Sequence, residues 1–77
     1  MMMSNGFEII LASVPDRDDL VAEIWRGDSQ FAEVRREEER FFVELYPNPK
    51  DLAWIFEHSE LIEALNAAER RLRDTVA

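Results

Sequence analysis

The sequence predicts an α+β domain: an antiparallel β-meander of four strands with one C-terminal amphipathic helix packed on one face. A fifth strand is added if residues 52–56 join the sheet: Trp54 and Phe56 alternate as in a strand, while Leu52, Ile55 and Phe56 could instead begin a helix. Three observations carry this reading. Residues 20–25, 31–34 and 41–46 are β-like segments, separated by Arg26-Gly27-Asp28-Ser29 and by Arg35-Arg36-Glu37-Glu38-Glu39-Arg40. Ahead of them, residues 7–14 (FEIILASV) form a short apolar run, and after them apolar residues recur every three to four positions from Glu60 onward. Period-two and period-3.6 patterns of this kind separate strands from helices.

Residues 1–6 show no periodicity and read as a disordered tail; residues 7–77 form a single domain. In the first strand Phe7, Ile9 and Leu11 share one face, with Ile10 and Ala12 near the other. Pro15 ends it, because proline has no N–H and holds Val14 extended. Pro15-Asp16-Arg17-Asp18-Asp19 is then a polar turn; its aspartates lack the spacing and the twelfth-position Glu of an EF-hand calcium loop.

Around Gly27-Asp28 the parity of the loop decides which side chains face each other. An even loop sets Ile24 opposite Phe31, whereas an odd loop sets Ile24 opposite Ala32 and Ala22 opposite Val34. The odd register gathers Leu20, Ala22, Ile24, Ala32 and Val34 on one face, and burial favours it. Pairing Val34 with Phe41 and Ala32 with Val43 then adds Phe41, Val43 and Leu45 to that face. Pro47-Asn48-Pro49 stops the strand, since neither proline can donate to a ladder. Ser59 is the expected N-cap of the helix, with Glu60 and Glu63 in its first turn where the dipole favours acids. Leu61, Leu65, Ala68, Leu72 and Val76 make its apolar stripe, widened by Ile62, to about Thr75.

Composition bounds the function. Seventy-seven residues make one domain, and a chain this short buries only ~60 % of the surface its unfolded form exposes. Such scaffolds usually need a disulfide, a metal or another chain. There is no Cys, so association is the readiest of these. Seventeen acidic residues against nine basic ones give a net charge of −8. That field repels phosphate backbones and anionic membranes, so neither nucleic acid nor a membrane is expected as a partner. It serves solubility, or attraction to a basic protein. Residues 1–6 lack basic side chains, and the apolar run at 9–12 is too short for a signal segment, so a cytoplasmic location is expected.

Ala12-Ser13-Val14-Pro15-Asp16-Arg17, Leu20-Val21-Ala22-Glu23-Ile24, Phe31-Ala32-Glu33, Leu45-Tyr46-Pro47 and Leu61-Ile62-Glu63-Ala64-Leu65 together resemble a group of short, uncharacterised bacterial proteins. The likeness spans about residues 7–72 and rests on strand and turn positions. It implies the same sheet-plus-helix layout in a bacterial cytosolic setting, and no activity. The strand-then-helix ending, with Glu63-Ala64-Leu65, also resembles HicB-type antitoxins in layout.

The residues offer little to catalysis. His58 is the sole histidine, beside an expected helix start, and a nucleophile–base pair would need a partner for it. Ser4, Ser13, Ser29 and Ser59 lie outside any G-x-S-x-G elbow. Glu57, His58 and Glu60 are spread around their element rather than set at the spacing of H-E-x-x-H. With two glycines there is no phosphate cradle. No enzyme, cofactor, catalytic residue or metal ligand is therefore expected.

One constellation is left. In the odd register Trp25 lies opposite Phe31, with Phe42 diagonal to it and Tyr46 near the turn end, all away from Ile24 and Val43. Cross-strand aromatics stabilise sheets by roughly 0.2–1 kcal/mol per pair. One helix covers one face, however, and monomers rarely expose an apolar patch of that size. Trp25, Phe31, Phe42 and Tyr46 are thus the expected partner-binding residues, rimmed by Glu23, Glu33 and Glu44, unless residues 52–56 fold back over them. The expected function is a non-enzymatic interaction module forming a homodimer, through this face or by exchanging an element. The alternative is an acidic antitoxin- or immunity-like inhibitor that binds a basic protein.

Overall fold

The apolar segments become β1 (Phe7–Ser13), β2 (Leu20–Arg26), β3 (Ser29–Glu37) and β4 (Arg40–Leu45), and the amphipathic stretch becomes α1 (His58–Asp74). This computed structural model describes residues 1–13 and 20–75. The expected turn at 15–19 and Val76 of the helical stripe lie outside the described residues. The strands form one antiparallel sheet in the order β1-β2-β3-β4. The helix packs on one face, over β1, β2 and β3. Residues 52–56 form neither strand nor helix, so the sheet has no fifth strand from that segment.

Alternation places Phe7 and Ile9 from β1, Ala22 and Ile24 from β2, and Ala32 and Val34 from β3 in one buried layer. Ile9 faces Ile24, which in turn faces Ala32; Leu11 faces Ala22, which faces Val34. From the helix, Ala64, Ala67, Ala68 and Leu72 close the core. Ile62 points out of the apolar stripe instead of widening it, and is 43 % exposed.

Both loop parities around Gly27-Asp28 are realised. Arg26 pairs with Ser29, so the loop has two residues, and Trp25 pairs with Gln30. The next pair is Ile24 with Ala32, which leaves Phe31 as an extra residue in β3. This is a β-bulge, and it converts an even hairpin into the odd register that burial demands. Gly27 has φ +63 while Asp28 is not in the left-handed region. A glycine at the first central position alone is the signature of a type II′ turn, whose twist matches that of the flanking strands.

The second hairpin is tighter than the sequence suggests. Glu37 pairs with Arg40, so only Glu38-Glu39 form the turn, and Glu38 takes φ 60 where a glycine would be at ease. Val34 therefore faces Val43 and Ala32 faces Leu45, a slip of two residues from the expected pairing. A two-residue slip preserves the face, so Phe41, Val43 and Leu45 still lie on the helix side. The charged link extends the strands because its side chains find partners. Arg35 bonds Glu37 and Glu44, and the Arg36 guanidinium lies 5.6 Å from the Phe41 ring centre.

Residues 1–6 turn back along the outer edge of β1. Met3 N–H donates to Phe7 C=O at 2.7 Å, Ile9 N–H donates to Met1 C=O at 2.8 Å, and Met2 bridges Glu8. The helix starts before Ser59. Glu57 is the N-cap, its carboxylate accepting from Ser59 N–H at 2.9 Å and also from the Ser59 hydroxyl. Those two bonds to Ser59 hold the Glu57 carboxyl below its ordinary pKa. Its help to the helix is therefore present above the carboxylate pKa of the unfolded chain and is lost as pH falls through the depressed folded one.

Candidate interaction surfaces

Two surfaces stand open: the sheet face opposite the helix around Glu23, Glu33 and Glu44, although Val21 on that same face is buried, and the β4 side of the helix face. On the first, side chains from neighbouring strands line up in rows. Glu23 faces Glu33, and Glu33 faces Glu44, giving three carboxylates side by side across β2, β3 and β4. Like charges directly opposite one another destabilise a sheet unless something offsets them.

Among the described residues each glutamate in the row has a donor. Trp25 Nε1–H donates to Glu23 at 3.0 Å, the Tyr46 hydroxyl to Glu33 at 3.4 Å, and Arg35 to Glu44 at 2.7 Å. Arg35, bonded to Glu37 and Glu44, titrates above the ordinary arginine value. The Arg40 guanidinium lies 5.2 Å from the Phe42 ring centre. Three of the expected aromatics thus share this face: Trp25, Phe42 and Tyr46, each half-buried. Two of the three act as hydrogen-bond donors to the acidic row, a role that sequence reasoning missed.

Phe31, the fourth expected partner-binding residue, is not on that face. The bulge turns its ring into the core, where it is 2 % exposed. There it meets Phe56 at 4.6 Å, Phe7 at 5.5 Å and Trp54 at 5.9 Å between ring centres. Residues 52–56 do fold back, but over Phe31 on the helix side, with Trp54 Nε1–H donating to Tyr46 C=O at 2.9 Å. Arg26 closes this aromatic group, its guanidinium 4.7 Å from the Phe7 centre.

Burial pushes the Tyr46 phenol above its ordinary pKa, and the nearby charges of Glu33 and Glu44 push it the same way. The folded state holds this proton more tightly than the unfolded chain does. Stability therefore falls as pH rises above the ordinary tyrosine range. Tyr46 is the single tyrosine, so an ultraviolet titration reads it alone. Glu33→Gln is expected to move the midpoint down toward the ordinary value without reaching it, because burial persists. An unchanged midpoint would mean that Glu33 does not act on the phenol.

The second surface escaped the sequence reading. A helix with side chains is about 10–12 Å across, whereas three inter-strand gaps of about 4.8 Å make the sheet wider than that. The helix lies over β1 to β3, so β4 is left over. Phe41 is sheltered beside Arg73, whose guanidinium lies 5.3 Å from its ring centre. Val43 is 46 % exposed and Leu45 71 %, although both belong to the core face. Leu52 and Ile55 are also exposed, at 68 % and 87 %. This width argument was available from the sequence once a single helix was set against four strands.

His58 is the exposed first residue of α1. Among the described residues no group of three His, Asp or Glu side chains is arranged to hold a metal. No described helix is long and apolar enough to cross a membrane. No family model matches the chain, and no curated protein and no solved structure is significantly similar to it.

Proposed function

We propose that this chain is a non-enzymatic protein-interaction module that works as a homodimer in the bacterial cytoplasm. The observation that supports it is the bare β4 side of the helix face. Val43 and Leu45 belong to a core layer that the single helix is too narrow to finish. A second copy is the ordinary way for a small scaffold to complete such a layer. Exchange of the helix between copies fits less well, because Trp54 and Phe56 in its connection are anchored against Phe31. Direct contact between two folded protomers is the simpler route. Sedimentation velocity and light scattering at micromolar concentration are expected to give a mass of two chains. A strict monomer across that range overturns the reading.

The Glu23, Glu33 and Glu44 row favours a second reading, an acidic antitoxin- or immunity-like inhibitor of a basic protein. Steering by that field predicts association that slows steeply as salt rises. Salt-insensitive binding to a basic partner would sink it.

A further inference from the structure

We infer that the homodimer forms by antiparallel pairing of β4 with β4 of a second copy, in the one register that has Val43 on the two-fold axis. This rests on the homodimer reading above and deepens it.

The two sheet edges differ. Hydrogen bonds from residues 1–3 occupy the outer edge of β1 at Phe7 and Ile9. On β4 no described residue pairs with the outer edge. Its charges, Arg40 and Glu44, are on the face away from the apolar layer; the strand itself holds no proline and no lysine, and Pro47 comes only after it. An open edge of this kind is a template for another strand.

The ladder tells which backbone groups are free. In antiparallel pairs, residues along a strand point their N–H and C=O alternately to one neighbour and to the other. Glu37 and Arg40 flank a two-residue turn, and Tyr46 N–H donates to Phe31 C=O at 2.9 Å. Arg40, Phe42, Glu44 and Tyr46 therefore point their backbone groups at β3. Phe41, Val43 and Leu45 point theirs outward, and these are the residues whose side chains lie on the unfinished apolar face. For the free groups to meet, a two-fold axis normal to the sheet must pass through one of these three, or through Phe42 or Glu44 between them. Centring on Glu44 sets that carboxylate against its counterpart, and centring on Phe42 leaves Leu45 opposite Glu39 of the turn.

Centring on Phe41 runs the pairing into the Glu38-Glu39 turn. Centring on Leu45 sets Val43 against Pro47, which has no N–H to give. Centring on Val43 pairs the whole strand. Phe41 then faces Leu45 of the second copy, Val43 faces its counterpart, and the two exposed side chains gain apolar neighbours. On the other face Phe42 stands opposite Glu44 of the second copy, and Arg40 lies diagonal to that same glutamate. No two carboxylates are set directly opposite across the new seam. The product is an eight-stranded sheet with both helices on one side.

The chain has no cysteine, so single-cysteine variants report the register directly. A hydrogen-bonded antiparallel pair brings Cα atoms to about 5.5 Å, within disulfide reach. Val43→Cys is therefore expected to give a covalent dimer as the main species under mild oxidation. Leu45→Cys is expected to stay unlinked, because four residues of strand set it about 14 Å from its counterpart. Val43→Lys, which keeps an exposed site exposed in the protomer, is expected to lose the dimer while retaining the circular dichroism of the fold. A wild-type dimer in which Val43→Cys fails to link, or Leu45→Cys links instead, overturns the register and leaves the homodimer standing. A monomeric wild-type chain overturns both.

Discussion

Replacing Phe31 with alanine is expected to destabilise the fold by about 3–5 kcal/mol, the range for deleting a buried aromatic ring. A domain of this length has roughly 4–12 kcal/mol in total, at the usual stability per residue. The variant should therefore be partly or wholly unfolded at ordinary temperature. Position, rather than residue type, sets the size of the loss. Phe31 is 2 % exposed, and its ring sits among Phe7, Trp54 and Phe56. The surrounding rings belong to β1 and to the connection before α1, so its removal leaves a cavity that joins three separate segments. Trp25 is larger but half-buried on the opposite face, held by one hydrogen bond to Glu23. Trp25→Ala should cost clearly less. Urea unfolding of the two variants under identical conditions makes the comparison, and equal losses would mean that the bulge does not turn Phe31 inward.

That contrast marks where the fold stops being legible in the sequence. The strands were readable because burial acts on alternation: Ile24 with Ala32 and Ala22 with Val34 are the only pairings that gather the small and branched residues on one side. The faces of β1 were readable for the same reason. The bulge was not, because it needs the even loop at Gly27-Asp28 and the odd register beyond it to hold together. Parity arguments treat those as alternatives. One unread extra residue moved Phe31 from the candidate site to the core while leaving Trp25, Phe42 and Tyr46 where alternation put them. In the second hairpin the missing glycine concealed a two-residue turn, since Glu38 carries the positive φ itself. The error there was harmless to the faces because a slip of two preserves them.

The candidate site was half legible. Aromatic and acidic side chains on one face follow from period-two counting, but their pairing does not. That Trp25 and Tyr46 donate to Glu23 and Glu33 depends on side-chain reach across the sheet. It changes their meaning: they offset a row of like charges and are less free to receive a partner. The bare β4 strip was hidden for another reason. Counting apolar residues assigns Val43 and Leu45 to a core, whereas only the width of one helix against four strands shows that the core runs out before reaching them.

Ala68→Leu should cost about 1–3 kcal/mol, because the same helix is seated too closely to admit a larger side chain. Ala64 and Ala68 are both fully buried, on the stripe of α1 that faces the sheet. Facing them are layers filled by Ile9, Ile24 and Val34, each buried to within 2 %. The alanines are what let the helix approach; three added carbons must either leave a preferred rotamer or lift the helix. Lifting it would loosen Leu72 in the core and the contact between Arg73 and Phe41 at the helix end. Helix propensity cannot account for the loss, since leucine ranks close to alanine. Ile62→Leu supplies the control, at a site on the same helix that is 43 % exposed, and should be near neutral. Denaturant midpoints measured with unchanged slope give both values. A neutral Ala68→Leu would mean that the helix has room to spare above the sheet, and with it room to shift over the uncovered β4 strand and finish the layer without a second copy.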